Sequence, residues 1–165
     1  MNVRAALSAE IANQIESACD SLRAFRGEIS VGAPRRALLS VYYAVIHQVT
    51  AALSTKGLHP RTHEGAINLF SLHFLKPGVF SRDSVKKLAK LVTERQTADY
   101  SVNIPIDMED VVAAHALACQ LILEAFSYFA TLDRIKPKMT ALRKDFLAFR
   151  RTFAKSRKSP SNGTP

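Results

Sequence analysis

The chain has 165 residues, 47% of them hydrophobic and 22% charged, a composition that fits one globular domain and excludes a disordered chain or two domains of ordinary size. No run approaches the roughly 18 consecutive apolar residues of a membrane span, and residues 1–10 lack the apolar core of a secretory signal. Cys19 and Cys119 are too few for a disulfide scaffold and lack metal-ligand spacing, so they read as buried free thiols of a cytoplasmic protein.

The net charge of +9 is segregated. Residues 1–133 carry 13 basic and 13 acidic side chains. Residues 134–165 carry ten basic ones (Arg134, Lys136, Lys138, Arg143, Lys144, Arg150, Arg151, Lys155, Arg157, Lys158) against Asp145 alone. A neutral body with a basic extension points to an anionic partner, nucleic acid first, with an acidic protein or membrane surface behind it.

Helical periodicity runs through the whole chain. The stripe Leu7, Ile11, Ile15, Ala18, Leu22, Phe25 predicts a first helix with Ser8 as its N-cap, loosened at Gly27 and Gly32. Pro34 suits the first turn of a second helix over about 34–56, with Gly57 just past its end. Its apolar residues Leu38, Leu39, Tyr42, Tyr43, Ile46, Val49 and Leu53 face more than one side, which makes it the expected central helix. After His59 and Pro60, a short helix is predicted from Thr62 to about Leu75, stopped by Pro77 and Gly78. Ser81, with Asp83 in the first turn, caps a fourth helix ending between Gln96 and Tyr100.

An extended connection through Pro105 leads to a fifth helix, with Asp107, Glu109 and Asp110 at its positive end. Its stripe Val111, His115, Ala118, Ile122, Ala125, Phe129, Leu132 steps by fours and threes. A last helix carries Met139, Leu142, Phe146, Phe149 and Phe153 between basic residues. The expected fold class is all-α, an antiparallel bundle of about five or six helices. The bundle is placed at 1–135, the basic amphipathic helix at 136–155 and a tail of disordered composition at 156–165.

The fourth helix departs from its pattern. Val85, Leu88 and Val92 form a stripe whose continuation lands on Arg95 and then Asp99. Those polar residues face a groove or a partner chain. As a pair four apart they form a same-face ion pair or an anion site, the guanidinium fork matching phosphate.

Four pieces then occur in order: Tyr42-Tyr43-Ala44-x-x-His47; Arg61-Thr62-His63-Glu64-Gly65; Leu69-Phe70-x-x-His73-Phe74; and Glu94-Arg95-Gln96-x-Ala98-Asp99-Tyr100. The set resembles the prokaryotic branch of the HEPN family whose members are often encoded beside a minimal nucleotidyltransferase, and it covers about residues 35 to 130. The resemblance implies a helical bundle, usually dimeric, that handles nucleotides or RNA. Many such proteins are metal-independent ribonucleases and toxins of toxin–antitoxin pairs. Their signature is an Arg followed, four to six residues later, by a His; there Arg would stabilise phosphate charge and His exchange protons with the ribose 2′-hydroxyl.

This chain departs from that signature. Tyr100, not a histidine, follows Arg95 after four residues, and an unperturbed tyrosine, with a pKa of roughly 10, is a poor base. The two also lie about 140° apart on an ideal helix, so they converge where the helix ends or bends before Tyr100. In some pairs of this kind the nucleotidyltransferase attaches adenylate to a tyrosine beside the motif, which makes Tyr100 the candidate acceptor; the plain reading is a tyrosine closing the helix end.

His63, after Thr62 at a helix N-terminus where free N–H groups favour anions, is the candidate substitute base. His47 reads as a buried, hydrogen-bonded histidine, His73 is ambiguous, and His115 lies in the core or on a dimer face. His59 and His63 are four apart, as zinc pairs can be, but Pro60 lies between them and no third ligand is evident, so no metal is expected. Neither a glycine-rich phosphate loop nor a serine triad nor a carboxylate pair occurs, and no cofactor is expected. The phosphate-binding set is thus Arg95, Asp99, Thr62 and His63; the catalytic set, if the chain cleaves RNA, is Arg95, Tyr100 and His63. The terminal helix docks on the bundle with Arg143, Lys144, Arg150 and Arg151 outward for RNA, lies on a membrane surface, or docks a partner protein. A homodimer, a nucleotidyltransferase and RNA or nucleotide are the expected partners.

Overall fold

The computed structural model describes residues 3–100, 105–132, 140–144, 146–148 and 150–151, and of residues 3–6, 82, 85 and 97–100 it describes the backbone alone. Every regular element among them is helical: α1 (Val3–Ser30), α2 (Pro34–Ser54), α3 (His63–Phe70), a π turn (Ser71–Leu75), α4 (Arg82–Tyr100) and α5 (Met108–Phe129). This is the all-α bundle expected from the periodicity. The core stripe of α1, from Ile11 through Phe25, is buried as predicted.

Two local expectations for α1 are corrected. It begins at Val3, which puts Ser8 inside the helix, not at its N-cap, because the Arg and Ala residues ahead of Ser8 are strong helix formers. Nor does Gly27 loosen it: helix continues to Ser30, since packing along α2 outweighs the roughly 1 kcal/mol a mid-helix glycine costs. The stop comes at Gly32, whose φ of 66° opens the left-handed region. There the Ala33 N–H donates to Glu28 O at 2.8 Å and the Gly32 N–H to Ile29 O at 3.1 Å, closing the end as a Schellman motif. Gly57 (φ 70°) ends α2 in the same way, with Leu58 N–H on Leu53 O at 3.1 Å.

α2 is the central helix, in contact with α1, α3, α4 and α5. By length and composition alone, α2 and α5 could each cross a membrane; 72% of the apolar window of α2 and 50% of that of α5 are buried inside the bundle. Their apolarity thus largely serves this core. All of the α5 stripe from Val111 to Phe129 is buried. His115 lies within it, stacked on Phe25 with ring centroids 4.2 Å apart, and is a core residue. Cys119 Sγ is 3.7 Å from His115 Nε2. Burial pushes its thiol up to about 12, so it stays protonated and unreactive near neutrality.

Helix starts are fixed by polar side chains. Thr62 Oγ1 accepts the Gly65 N–H at 3.0 Å and caps α3. A Cβ on Gly65 would lie 3.0 Å from that oxygen, which is why glycine fits there. Thr62→Ala is expected to cost about 1 kcal/mol in a urea titration, with an unchanged slope. α4 starts under Glu124 of α5, whose carboxylate accepts from the Ser81 N–H at 2.5 Å and from the Ser84 hydroxyl, while Ser81 Oγ accepts the Ser84 N–H at 3.3 Å. Asp107 caps α5 through the Glu109 N–H at 3.0 Å.

The described C-terminal residues are helical at 140–144, 146–148 and 150–151. Phe146 is buried against Phe126, ring centroids 5.9 Å apart, so this segment docks on the end of α5. Arg143, Lys144, Arg150 and Arg151 are exposed. Met139, Phe149, Phe153 and the tail at 156–165 lie outside the described residues.

Candidate functional site

Three helices bring their polar exceptions to one ring. Tyr42 on α2 is buried, only 3% exposed. The guanidinium carbon of Arg95, from α4, sits 5.2 Å from its ring centroid in a cation–π contact. His63, at the first position of α3, lies 5.8 Å from the same centroid. It also meets Tyr43 edge-on at 5.6 Å, and Tyr43 is 40% exposed. Arg95 and His63, 32 positions apart in sequence, thus converge on Tyr42.

Register explains how. Among the described side chains of α4 the buried ones are Ser84, Leu88 and Leu91, and the next step along that face is Arg95, half-buried. An arginine there keeps its charge at the rim while its planar head covers an aromatic face. α3 is hung from the core by Ala66 and Phe70, which sets its N-terminal end beside α2. Thr62 is exposed; accepting Gly65 N–H leaves its own hydroxyl hydrogen to donate to an anion.

His47 follows Tyr43 by one turn on α2. His47 Nδ1 lies 2.8 Å from Gln14 Oε1 of α1. Burial first, and then the charge of His63, hold His47 below the ordinary imidazole range, so the ring is neutral near pH 7. The sequence predicts a buried, hydrogen-bonded histidine at His47; the ring is half-buried and hydrogen-bonded to α1. Its spacing of four from exposed Tyr43 was the available signal; Gln14, 33 residues away, gave none. Beside Arg95, burial holds Glu94 above the usual carboxylate range, against the opposing pull of Lys90 at 3.6 Å.

The other candidates separate. α4 continues as helix through Tyr100, so the helix end that would bring Tyr100 round to Arg95 is not at that point; the side chains of Asp99 and Tyr100 lie outside the described residues. His59 Nδ1 faces Glu10 Oε1 at 3.2 Å while His63 faces the tyrosines, so the two histidines do not share a centre. His73 is half-buried on the π turn. Elsewhere, the exposed basic residues Arg143, Lys144 and Arg151 rim a groove of about 380 Å³ whose floor includes Phe126, Ala130 and Leu147.

A planar cation, an exposed aromatic ring and the exposed His63 imidazole at one surface suit a phosphodiester with an unstacked base. The HEPN domain model matches residues 12–125, a span that includes Tyr42, His63 and Arg95. Among similar proteins, one named "Putative toxin" from Methanocaldococcus jannaschii is 32% identical over 77% of this chain and 87% of its own length. A second of that name from the same organism is 30% identical over 61% of this chain and 69% of its own. A "UPF0332 protein" of Thermotoga maritima is 32% identical over 43% of this chain and 54% of its own. Both the family model and the longest of these matches cover the helices that build the Arg95 cluster, and the chain belongs to the HEPN domain family.

Proposed function

We propose that this chain is a toxin-like HEPN protein that binds RNA, or a nucleotide, through phosphate at the Arg95–Tyr42–His63 cluster. The observation that carries the reading is the meeting of Arg95 and His63 on the Tyr42 ring. The names of the two Methanocaldococcus relatives support the toxin half of it. Arg95 would hold a phosphate oxygen pair, Thr62 and the first turn of α3 would add donors, and Tyr43 would offer a face to a base. A homodimer working with a nucleotidyltransferase, for which Tyr100 is the candidate adenylate acceptor, completes the proposal.

The exposed strip Arg143, Lys144, Arg150 and Arg151 would add sequence-independent attraction for the RNA backbone. A fluorescence-anisotropy titration of single-stranded RNA at several salt concentrations tests both halves. Changing the four basic residues to Ala is expected to lower the salt slope by up to about three, if each contacts a phosphate. Arg95→Ala is expected to weaken binding with little change of slope beyond its own charge. Affinity indifferent to Arg95 would move the binding site elsewhere.

A second reading, metal-independent ribonuclease activity, is favoured by one observation. The helix carrying Arg95 lacks the signature histidine, yet His63 from α3 reaches the same ring that Arg95 covers. The proton-transfer group missing from one helix is thereby available from another.

A further inference from the structure

The groove at the C-terminal end of α5 lies between two ridges of side chains at steps of four. One ridge is Phe126 and the C-cap residue Ala130; the other is Arg143, Leu147 and Arg151 of the C-terminal segment. Phe146, buried against Phe126 with ring centroids 5.9 Å apart, holds the two ridges together. The volume of about 380 Å³ falls in the range of ligand pockets. Along its length the lining runs cation, apolar, cation. Lys144 joins Arg143 at one end, Ala148 joins Leu147 in the middle, and Arg151 closes the other end. The three cations are exposed, and among the described residues none of them is paired with a carboxylate.

This pattern selects among anionic ligands. Among the described residues the rings at the groove, Phe126 and Phe146, are only 1% and 2% exposed, so neither gives an RNA base a face to stack on. Phosphates alone would use the cations and leave the apolar middle in water. A membrane surface needs apolar side chains that stand out beyond the charges; here Leu147 is half-buried between exposed cations. A helix meets both requirements. Its own ridge seats between the two ridges of the groove with an apolar residue at the middle, and carboxylates one turn to either side reach Arg143 with Lys144 and Arg151.

We infer that this groove docks an acidic amphipathic helix of a partner protein, with carboxylates on both sides of an apolar anchor along one face. The docked helix covers three of the four cations in the strip proposed above to attract RNA, so it competes with RNA there. The competition rests on that RNA reading; the docking does not.

The test is an anisotropy titration of the full chain against a dye-labelled synthetic peptide of about four helical turns, carrying a Glu, Leu, Leu, Glu ridge at steps of three and four. The control peptide has the same composition with its leucines dispersed around the helix. The ridged peptide is expected to bind about 10-fold tighter or more, the order set by burying one leucine side chain. Leu147→Gln should weaken it about 10-fold and leave the affinity for single-stranded RNA unchanged. Ala148→Gln, at an exposed position where the fold is not at stake, should do the same by filling the groove. Saturating ridged peptide should lower the salt slope of RNA binding by up to about two, the share of three covered cations. Failure of the ridged peptide to bind, equal affinity for the control, or indifference to both glutamine variants overturns the docking site and leaves the strip to RNA. Docking that leaves the RNA salt slope untouched keeps the site and overturns the competition, and with it the part of these cations in RNA binding.

Discussion

Phe74→Ala should lower stability by about 3–5 kcal/mol, a large part of what a domain of this size has. Phe74 is fully buried at the π turn. Its ring stacks on Phe70 at 5.2 Å and meets Phe80 and Tyr128 edge-on at 5.9 and 5.4 Å. Lys56 Nζ lies 4.9 Å from its centroid. Removing the ring loses its burial, its aromatic pairs and the cation contact together, and leaves a cavity between elements that cannot all close on it. Tyr128 is held in place by its hydroxyl, 2.8 Å from Thr55 Oγ1, which limits relaxation. The effect should appear as a lower urea midpoint at an unchanged slope. Because α3 hangs from the same cluster through Phe70, the variant should also loosen His63 and weaken RNA binding. A loss below about 1 kcal/mol would show that this aromatic cluster is not the centre of the core.

Arg95→Ala carries the largest expected effect on function. A charge-assisted contact is worth about 1.5–3 kcal/mol, so affinity for single-stranded RNA should fall roughly 10- to 100-fold. Arg95→Lys is expected to recover little. An ammonium keeps the charge but cannot lie flat on Tyr42 while presenting two parallel N–H groups to phosphate. Full recovery by lysine in an anisotropy titration would reduce the role of Arg95 to a point charge. Fold damage should be slight in both variants, because the side chain is half-buried and the neighbouring core residues Leu88 and Leu91 are untouched.

The helices were legible in sequence because their signals are local. The step of fours and threes in α5 marked a face that is buried from Val111 to Phe129, and Gly57 marked the end of α2 where a left-handed residue closes it. Errors fell in α1, which runs through Ser8 because the residues ahead of it are strong helix formers, and through Gly27 because packing along α2 outweighs the cost of a glycine. The π turn was folded into one predicted helix, since a shift of hydrogen bonding such as Lys76 N–H to Ser71 O leaves no mark in composition.

The site was legible one residue at a time. Arg95 stood out by breaking its apolar stripe, and His63 by following a capping threonine. That the two share the Tyr42 ring is a property of how α2, α3 and α4 cross, which no spacing encodes. Tyr42 was visible only as a core residue and as part of a resemblance. The Gln14–His47 bond joins residues on separate helices and had no sequence signal.

Photocrosslinking of 4-thiouridine-labelled RNA, followed by peptide mapping, tests most directly whether the Arg95 cluster is where RNA binds. Crosslinks are expected on the α2 peptide that holds Tyr42, Tyr43 and His47 and at the start of α3, and they should disappear in Arg95→Ala. Crosslinks confined to the basic residues between 140 and 151, or unchanged by Arg95→Ala, would contradict a phosphate site built on Arg95, Tyr42 and His63.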